Sequence, residues 1–271
     1  MPPKLLLIIL DGCRPDALQQ AQTPNIDSLW QTGAHTWKAC SVMPSVTLPA
    51  HSTMFRGVSP QKHGVGANNV FVPSAAAFPS IVDIAKLGNL RTAMFYSWEQ
   101  LRDLSAPGSL NLSYCMNATY GEDNDTPVAL FAAAYLAEKQ PDFCVLYLGD
   151  VDINGHLFGW MSPEYLQAIE ANDRAIGLVL HALETAGVRD NYTFLIQADH
   201  GGHGTDHGTD LPEDMTIPWI LSGPGVKRGH EIQSPVNMVD TPATIAHILG
   251  LERPTVWEGT PVYEALLDGN F

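Results

Sequence analysis

The chain has 271 residues, with 29 acidic against 14 basic side chains and a formal net charge of −15 at pH 7. Hydrophobic residues make up 45% of the sequence, which excludes a largely disordered chain. The acidic balance argues against a nucleic-acid polymer as partner, because phosphate backbones are held by clustered Lys and Arg. A small phosphate ester remains a possible substrate, since metal cations can supply the positive charge.

Apolar runs alternate with helical patterns along the chain, and turn residues separate them. In chain order, the sequence predicts a strand over Leu5–Leu10, a helix opened by Thr23 and Pro24 and closed by Gly33, short helices over Pro49–Phe55 and Pro79–Lys86, a strand over Arg91–Trp98, a helix over Thr126–Gln140, a strand over Asp142–Leu148, a long helix over Pro163–Ala186, strands over Tyr192–Ala198 and Ile217–Leu221, and a helix over Asp240–Leu249. This order predicts an α/β fold, a three-layer αβα sandwich with a mostly parallel central sheet. The length suits a single domain, 1–271, in which 105–125 is an irregular surface excursion.

The cysteines and the N-terminal run bear on the compartment. The four cysteines form no closely spaced pair, and a chain of this size needs no disulfides, so we expect reduced thiols; they are Cys13, Cys40, Cys115 and Cys144. The apolar run Leu5–Leu10 is too short for a signal-peptide core or a membrane span. We therefore expect a cytoplasmic protein without membrane association.

Acidic and histidine side chains follow three of the predicted strands, where ligands bind in an open parallel sheet. They are Asp11, Asp152, His156, Asp199 and His200, with His203 and His207 in the following Gly-rich segment. Each alone fits a turn or a surface pair, but their joint occurrence at successive strand ends predicts a metal centre. Imidazole ligands favour zinc, manganese or iron over calcium or magnesium. Three aspartates and three histidines suffice for two ions with three protein ligands each.

Two hydroxyls, Ser45 and Thr47, are candidate nucleophiles. Thr47 lies just before Pro49 at the predicted start of a helix. Free backbone N–H groups there favour both an alkoxide and a bound phosphate. The alternative, favoured when this segment is considered by itself, is that Thr47 only caps the helix.

Seven short motifs follow one another along the chain. They are ILDGCRPD around Asp11, TPNIDSL from Thr23, PSVTLPAH around Thr47, HGVGAN ending at Asn68, DINGH from Asp152, ADHG around Asp199, and His207-Gly followed by Met215. Together they resemble the nucleotide pyrophosphatase/phosphodiesterase (type I phosphodiesterase) family of the alkaline phosphatase superfamily. The resemblance runs from Leu5 to about Leu251 and implies an alkaline-phosphatase-like fold.

The resemblance implies a dizinc site, a hydrolase and a small phosphate-ester substrate. The implied first ion is bound by Asp152, His156 and His207, and the second by Asp11, Asp199 and His200. Thr47 is implied as the metal-bound nucleophile that forms a phosphothreonine, and Asn68 as the ligand of a nonbridging phosphoryl oxygen. His203 shares the Gly-rich loop and remains an alternative to His207, which fits the family spacing better.

The charge around the nucleophile bears on the substrate. Asn68 is a neutral donor, Arg56 lies about two helical turns beyond Thr47, and no Arg is adjacent to it. This arrangement suits a singly charged phosphodiester or pyrophosphate bond better than a monoester dianion. A phosphomonoesterase or phosphonate hydrolase on the same metal core is the enzymatic alternative, and a non-catalytic metal-binding protein is the alternative from another class. The segment from Cys40 to Pro44 does not match the Cys-x-Pro-x-Arg motif of sulfatases. The sequence specifies neither leaving group nor oligomeric state.

Asp173 completes an apolar stripe on the predicted helix Pro163–Ala186, four residues after Ile169 and three before Ile176. It is therefore expected to face the sheet, where a carboxylate needs a partner. One interpretation is a cap or a backbone hydrogen bond near a helix end. The other is that Asp173 accepts a hydrogen bond from the predicted loop 152–156 and helps to orient the first zinc site.

Overall fold

A single eight-stranded sheet lies at the centre of the computed structural model, which describes residues 3–73 and 77–267. Its strands are β1 (Lys4–Leu10), β2 (Ala34–Cys40), β3 (Thr92–Tyr96), β4 (Leu112–Cys115), β5 (Phe143–Leu148), β6 (Tyr192–Gln197), β7 (Thr216–Ser222) and β8 (His230–Glu231). Their order across the sheet is β4-β3-β5-β1-β6-β7-β2-β8. β7 runs antiparallel to β6 and β2, and the other neighbouring pairs are parallel. The predicted mostly parallel sheet is confirmed.

Helices cover both faces of the sheet. They are α1 (Pro15–Gln20), α2 (Pro24–Thr32), α3 (Thr47–Arg56), α4 (Pro60–His63), α5 (Ile81–Leu87), α6 (Asp125–Lys139), α7 (Asp150–Phe158), α8 (Pro163–Thr185), α9 (Pro212–Met215) and α10 (Asp240–Ile248). One group packs around α8 and includes α1, α2, α6 and α7, whereas α3, α4, α5 and α10 pack with one another. Every residue of β1 and β5 is buried, which explains their unbroken apolar runs. Within the described ranges, no helix has both the length and the apolar character that a membrane span requires.

The local structure differs from the sequence analysis in three places. The segment 105–125, expected to be irregular, contains β4, which pairs with β3 at the sheet edge. The expected loop 152–156 is part of helix α7. Strand β2 was not predicted at all. β4 has only four residues and none of them is buried, and β2 mixes buried and exposed residues around an irregular register, so neither gives the apolar run that predicts a buried strand.

The structure also decides between the two interpretations of Asp173. Its side chain is buried, and its Oδ1 accepts a hydrogen bond from the Ile26 backbone N–H at 2.8 Å. Its Oδ2 accepts one from the Asn25 side-chain amide, also at 2.8 Å. Burial raises the pKa of Asp173 above its usual value, although these donors oppose the shift. Asp173 therefore caps the start of α2, and the expected contact with 152–156 was wrong.

Candidate metal centre and nucleophile

The predicted site residues converge at the carboxyl ends of β1, β5 and β6. Asp11 directly follows β1, Asp152 and His156 lie on α7 after β5, and Asp199 and His200 follow β6. His207 lies in the loop before α9, Thr47 is the first residue of α3, and Asn68 follows α4. These positions are far apart in sequence, and the parallel sheet brings them together because its strand ends meet at one edge.

One group of potential ligands comprises Asp11, Asp199 and His200, all three buried. His200 Nε2 lies 3.3 Å from Asp11 Oδ1 and 3.3 Å from Asp199 Oδ2. One ligand atom from each residue falls within 4.8 Å of the others, which is close enough for a shared ion. This group has the composition that the resemblance implies for the second ion.

A second group lies beside the first and shares His200 with it. Potential ligand atoms of Asp152, His200 and His207 lie within 4.8 Å of one another. His207 Nε2 is 3.7 Å from Asp152 Oδ1, and His156 Nε2 is 3.5 Å from Asp152 Oδ2. The rings of His200 and His207 stack with centroids 3.8 Å apart. Asp152, His156 and His207 are thus neighbours, as the resemblance implies for the first ion.

The three histidines are oriented in the same way. In each ring Nδ1 lies within hydrogen-bond distance of a backbone carbonyl: His156 with Thr205 at 2.9 Å, His200 with Gly201 at 2.8 Å, and His207 with Ser45 at 2.8 Å. A carbonyl only accepts, so Nδ1 carries the proton in each ring. Each Nε2 therefore carries a lone pair that can bind a metal ion, which is the usual tautomer of metal-binding histidines.

The carboxylate oxygens of the centre divide into paired and unpaired ones. Three buried oxygens have no hydrogen-bond partner in the described structure, namely Asp11 Oδ1, Asp152 Oδ1 and Asp199 Oδ2. The other oxygen of Asp11 accepts from the Tyr147 hydroxyl, and Asp199 Oδ1 accepts from the backbone N–H of Gly12 and of His200. Unpaired buried carboxylate oxygens are costly, so a donor set of this kind fits divalent cations.

Charge crowding supports the same conclusion. Burial, together with the nearby Asp199 and Asp152 charges, raises the pKa of Asp11 well above its usual value. Burial acts in the same direction on Asp199, but His200 and His51 outweigh it and lower the pKa of Asp199. Burial and the neighbouring His200 also lower the pKa of His207, which favours its neutral, metal-binding form.

His203 has a different environment from His207, although the two lie in one loop. Its Nδ1 is 2.7 Å from Oδ1 of the buried Asp214, and its side chain is 39% exposed. The carboxylate raises the pKa of His203 above its usual value. Oδ2 of Asp214 accepts from the backbone and the hydroxyl of Thr209, so this pair holds the loop in shape.

Thr47 and Asn68 meet at the start of α3. The N-cap of α3 is Val46, and no side chain caps the helix at that residue, so the expectation that Thr47 merely caps it was wrong. The Thr47 hydroxyl instead lies 3.3 Å from His200 Nε2, facing the centre. Asn68 Oδ1 accepts the Leu48 backbone N–H at 2.8 Å, which turns the amide nitrogen, with its two donors, toward no acceptor among the residues that the structure describes. Ser45, the other candidate, donates its hydroxyl to the Thr209 carbonyl at 2.7 Å.

A cleft of about 440 Å³ opens above these residues. Its lining includes Thr47, Asn68 and Asp152, together with segment 97–100 and the residues Asn117, Ala118 and Tyr120. No Lys or Arg is among the described residues that line it. Arg56 is buried and donates to the carbonyls of Phe78 and Asp103, and Arg14 pairs with Asp16. Neither arginine is therefore free to bind an anion in the cleft.

Two residues of the centre were not singled out in the sequence. Tyr147 on β5 donates its hydroxyl to Asp11, and its ring packs edge-on against His51 with centroids 5.4 Å apart. His51 Nδ1 lies 3.4 Å from Asp199 Oδ2 and 2.8 Å from the Thr47 carbonyl. His51 stands in the PSVTLPAH motif, which was a signal that could have identified it. For Tyr147 the sequence offered only a weaker signal, a hydroxyl group within an otherwise apolar strand.

The fold and the paired acidic and histidine groups define a protein with an alkaline-phosphatase-like fold and a candidate metal centre at the strand ends. Murine ectonucleotide pyrophosphatase/phosphodiesterase 5, solved as an inactive variant in complex with AMP, superposes with a TM-score of 0.82 at 16% identity, covering 98% of this chain and 100% of that one. A putative sulfatase from Bacteroides thetaiotaomicron superposes with a TM-score of 0.78 at 16% identity, covering 98% of this chain and 75% of that one. These likenesses confirm the alkaline-phosphatase-like fold.

The family follows from the sequence match. The family model for type I phosphodiesterase/nucleotide pyrophosphatase matches residues 5–216, well over half of the chain, and the chain belongs to this family. A venom phosphodiesterase of Macrovipera lebetinus is 28% identical over 215 residues, which are 73% of this chain and 25% of that protein. An uncharacterized pyrophosphatase/phosphodiesterase of Schizosaccharomyces pombe is 28% identical over 223 residues, or 73% of this chain and 44% of that protein. The chain thus spans a quarter to less than half of these relatives' length.

Proposed function

We propose that the chain is a dizinc hydrolase that cleaves phosphodiester or pyrophosphate bonds of small substrates through a phosphothreonine at Thr47. The observation that carries the proposal is the set of unpaired oxygens on Asp11, Asp152 and Asp199, which faces the free Nε2 atoms of the histidines beside the Thr47 hydroxyl. Membership in a family of phosphodiesterases and pyrophosphatases supports the reaction class. The related structure in complex with AMP is an inactive variant in which one threonine is replaced by alanine, and this also supports a threonine nucleophile.

The residues divide between two ions. Asp152, His156 and His207 would hold the first, and Asp11, Asp199 and His200 the second. When bound, zinc supplies positive charge that favours the deprotonated hydroxyl and offsets the charge that develops on the phosphoryl group. Two divalent cations against three carboxylates leave about one positive charge, which suits an anionic ester.

The chain's own groups account for nucleophile and substrate positioning. Thr47 Oγ1 attacks phosphorus, forming an oxygen–phosphorus bond as the bond to the leaving oxygen breaks, and water then cleaves the phosphothreonine. The hydroxyl lies at the first residue of α3, where unpaired backbone N–H groups favour negative charge. The Asn68 amide nitrogen, oriented by Leu48, donates to a nonbridging phosphoryl oxygen.

The cleft favours a diester over a monoester. A monoester dianion needs additional cationic donors, and the described lining contains no Lys or Arg. The described lining also contains the neutral polar side chains of Asn69, Ser97 and Gln100, and its carboxylate at Glu99 pairs with Arg102. Such a lining suits an uncharged organic group on the phosphate. A phosphomonoesterase or phosphonate hydrolase on the same metal core is the alternative.

Two measurements test the proposal together. Metal analysis of protein purified without chelator should find about two zinc ions per chain, and bis(p-nitrophenyl) phosphate should be hydrolysed faster than p-nitrophenyl phosphate.

Thr47→Ala should abolish turnover while retaining zinc, because no other nucleophile stands at that position. Ser45→Ala is the matched control and should have a mild effect. Magnesium alone or no metal would contradict the dizinc site, and faster monoester hydrolysis would favour the alternative. A greater loss in Ser45→Ala would identify Ser45 as the nucleophile.

A further inference from the structure

Trp160 contacts two of the three histidines. It follows α7 and is 7% exposed. Its ring centroid lies 5.1 Å from that of His156 and 5.8 Å from that of His207, and both contacts are edge-on. Edge-on aromatic contacts of this kind favour particular ring orientations. Trp160 thus packs directly against the two histidines assigned to the first ion.

Two glycines allow the indole to approach the backbone. A Cβ atom on Gly155 of α7 would lie 2.7 Å from Trp160 Cε2, and one on Gly202 would lie 2.2 Å from the same atom. Either substitution to alanine would force the ring to move. The indole is therefore held between α7, which carries Asp152 and His156, and the loop that leads from His200 to His207.

The indole nitrogen also contacts the turn after β1, which is the third segment that carries candidate ligands. Trp160 Nε1–H donates to the Gly12 carbonyl at 2.9 Å, and this carbonyl also accepts from the Tyr165 hydroxyl at 2.8 Å. Gly12 adopts a φ of +66°, and its backbone N–H donates to Asp199 Oδ1 at 3.1 Å. A Cβ on Gly12 would lie 3.0 Å from Asp152 Oδ1, so the turn after β1 touches both ligand groups.

We propose that Trp160 is a positioning residue that sets the placement of His156 and His207 relative to the Asp11–Gly12 turn, and so the affinity for the first ion. The inference rests on the proposed function, in which these histidines bind zinc. The indole contacts all three segments that carry the candidate ligands. Removing partners of metal ligands typically costs 10–100-fold in metal affinity.

The test compares zinc dissociation constants, measured by chelator competition, for wild type and Trp160 variants. Trp160→Phe keeps an aromatic ring but loses the hydrogen bond to the Gly12 carbonyl. Trp160→Leu loses the aromatic ring as well as the hydrogen bond. We expect about tenfold weaker binding of one ion in Trp160→Phe and up to about 100-fold in Trp160→Leu, with the other ion retained. Turnover at saturating zinc should recover at least in part.

Trp257 offers a matched control. It is 4% exposed and donates its indole N–H to the Pro79 carbonyl at 3.0 Å. Its ring also packs against a glycine, since a Cβ atom on Gly57 would lie 2.8 Å from Trp257 Cγ. Trp257→Phe removes an equivalent buried hydrogen bond away from the centre. It should lower stability while leaving both zinc affinities unchanged. Equal loss of zinc affinity in the Trp160 and Trp257 variants would overturn the inference.

A second readout covers the case in which Trp160→Leu does not fold. Zinc titrated into the metal-free protein should change tryptophan emission, and Trp160→Phe should remove most of that change while Trp257→Phe keeps it. Wild-type zinc affinities in Trp160→Phe would overturn the positioning role and leave the dizinc site standing. A wild-type chain that binds no zinc would contradict the proposed function itself.

Discussion

Asp125 and Asp150 each cap the helix that the other begins. The Asp125 carboxylate accepts the backbone N–H groups of Gly149 and Asp150 at 2.9 and 2.8 Å. The Asp150 carboxylate accepts those of Asn124 and Asp125 at 2.8 and 3.1 Å. Burial raises the pKa of both carboxyls above the usual value. This reciprocal pair fixes the start of α7, which carries Asp152 and His156, against the start of α6.

Asp125→Asn should therefore destabilise the protein and loosen the first ion. An amide leaves one of the two N–H groups at the start of α7 without an acceptor, at a cost of about 1–3 kcal/mol. Urea unfolding and zinc competition measure the two effects. Asp123→Asn is the control, because its exposed carboxylate accepts a single N–H from Thr126. Equal stability of the two variants would show that the reciprocal caps do not matter.

His207→Ala should lose about one zinc ion and most activity, whereas His203→Ala should keep both ions. His207 Nε2 is free beside Asp152, and the His203 ring is occupied by Asp214. Zinc analysis after gel filtration distinguishes the two. Comparable zinc loss in both variants would contradict the assignment of His207.

Asp173→Asn should lower stability without affecting zinc. The amide nitrogen of asparagine would replace one of the two acceptors and face either the Ile26 backbone N–H or the Asn25 side-chain amide, so we expect a loss of about 1–3 kcal/mol. Glu170→Gln, on the same helix, removes only the charge of an acceptor for Gln22 at an exposed contact and should change stability by less than about 0.5 kcal/mol. Weaker zinc binding in Asp173→Asn would instead support the interpretation that Asp173 helps to orient the first zinc site.

His63 should make stability depend on pH. Burial, with a contribution from Arg56, lowers the pKa of this histidine from 6.5 to about 4. It accepts the Val65 N–H at Nδ1 and lies 3.0 Å from the Thr53 hydroxyl at Nε2, contacts that suit the neutral ring. Between these pH values the unfolded chain binds a proton that the folded chain does not, so stability is complete above about pH 6.5 and is lost as pH falls toward 4.

The measurement is the difference in unfolding free energy between wild type and His63→Asn at pH 7, 6 and 5. That difference should shrink by about 1–2 kcal/mol from pH 7 to pH 5. Comparing the two chains at each pH removes contributions that both share, including those of the metal ligands. The exposed His181→Asn controls for the loss of one histidine. A difference that stays constant with pH would show that the His63 environment is not as buried as the structure indicates.

The sequence by itself determined five of the eight strands, β1, β3, β5, β6 and β7, and the grouping of most residues of the candidate site. Strands β1, β5 and β6 are buried on both faces, so they appear in the sequence as largely apolar runs that can be recognised without knowing their neighbours. The carboxyl ends of parallel strands meet at one edge, so Asp11, Asp152 and Asp199 could be grouped from their positions after these runs.

Only the tertiary structure decided the features that depend on distant partners. Helix α7 contains Asn154 and Gly155, which favour helix weakly, and its first N–H groups are capped by Asp125, 24 and 25 residues away. The same holds for His203 and His207, which differ in the partners they meet rather than in local sequence. Trp160 likewise gave no local signal, because its role lies in contacts with three separate segments. A local pattern records burial and backbone preference, whereas the choice of hydrogen-bond partner is made only when the chain has folded.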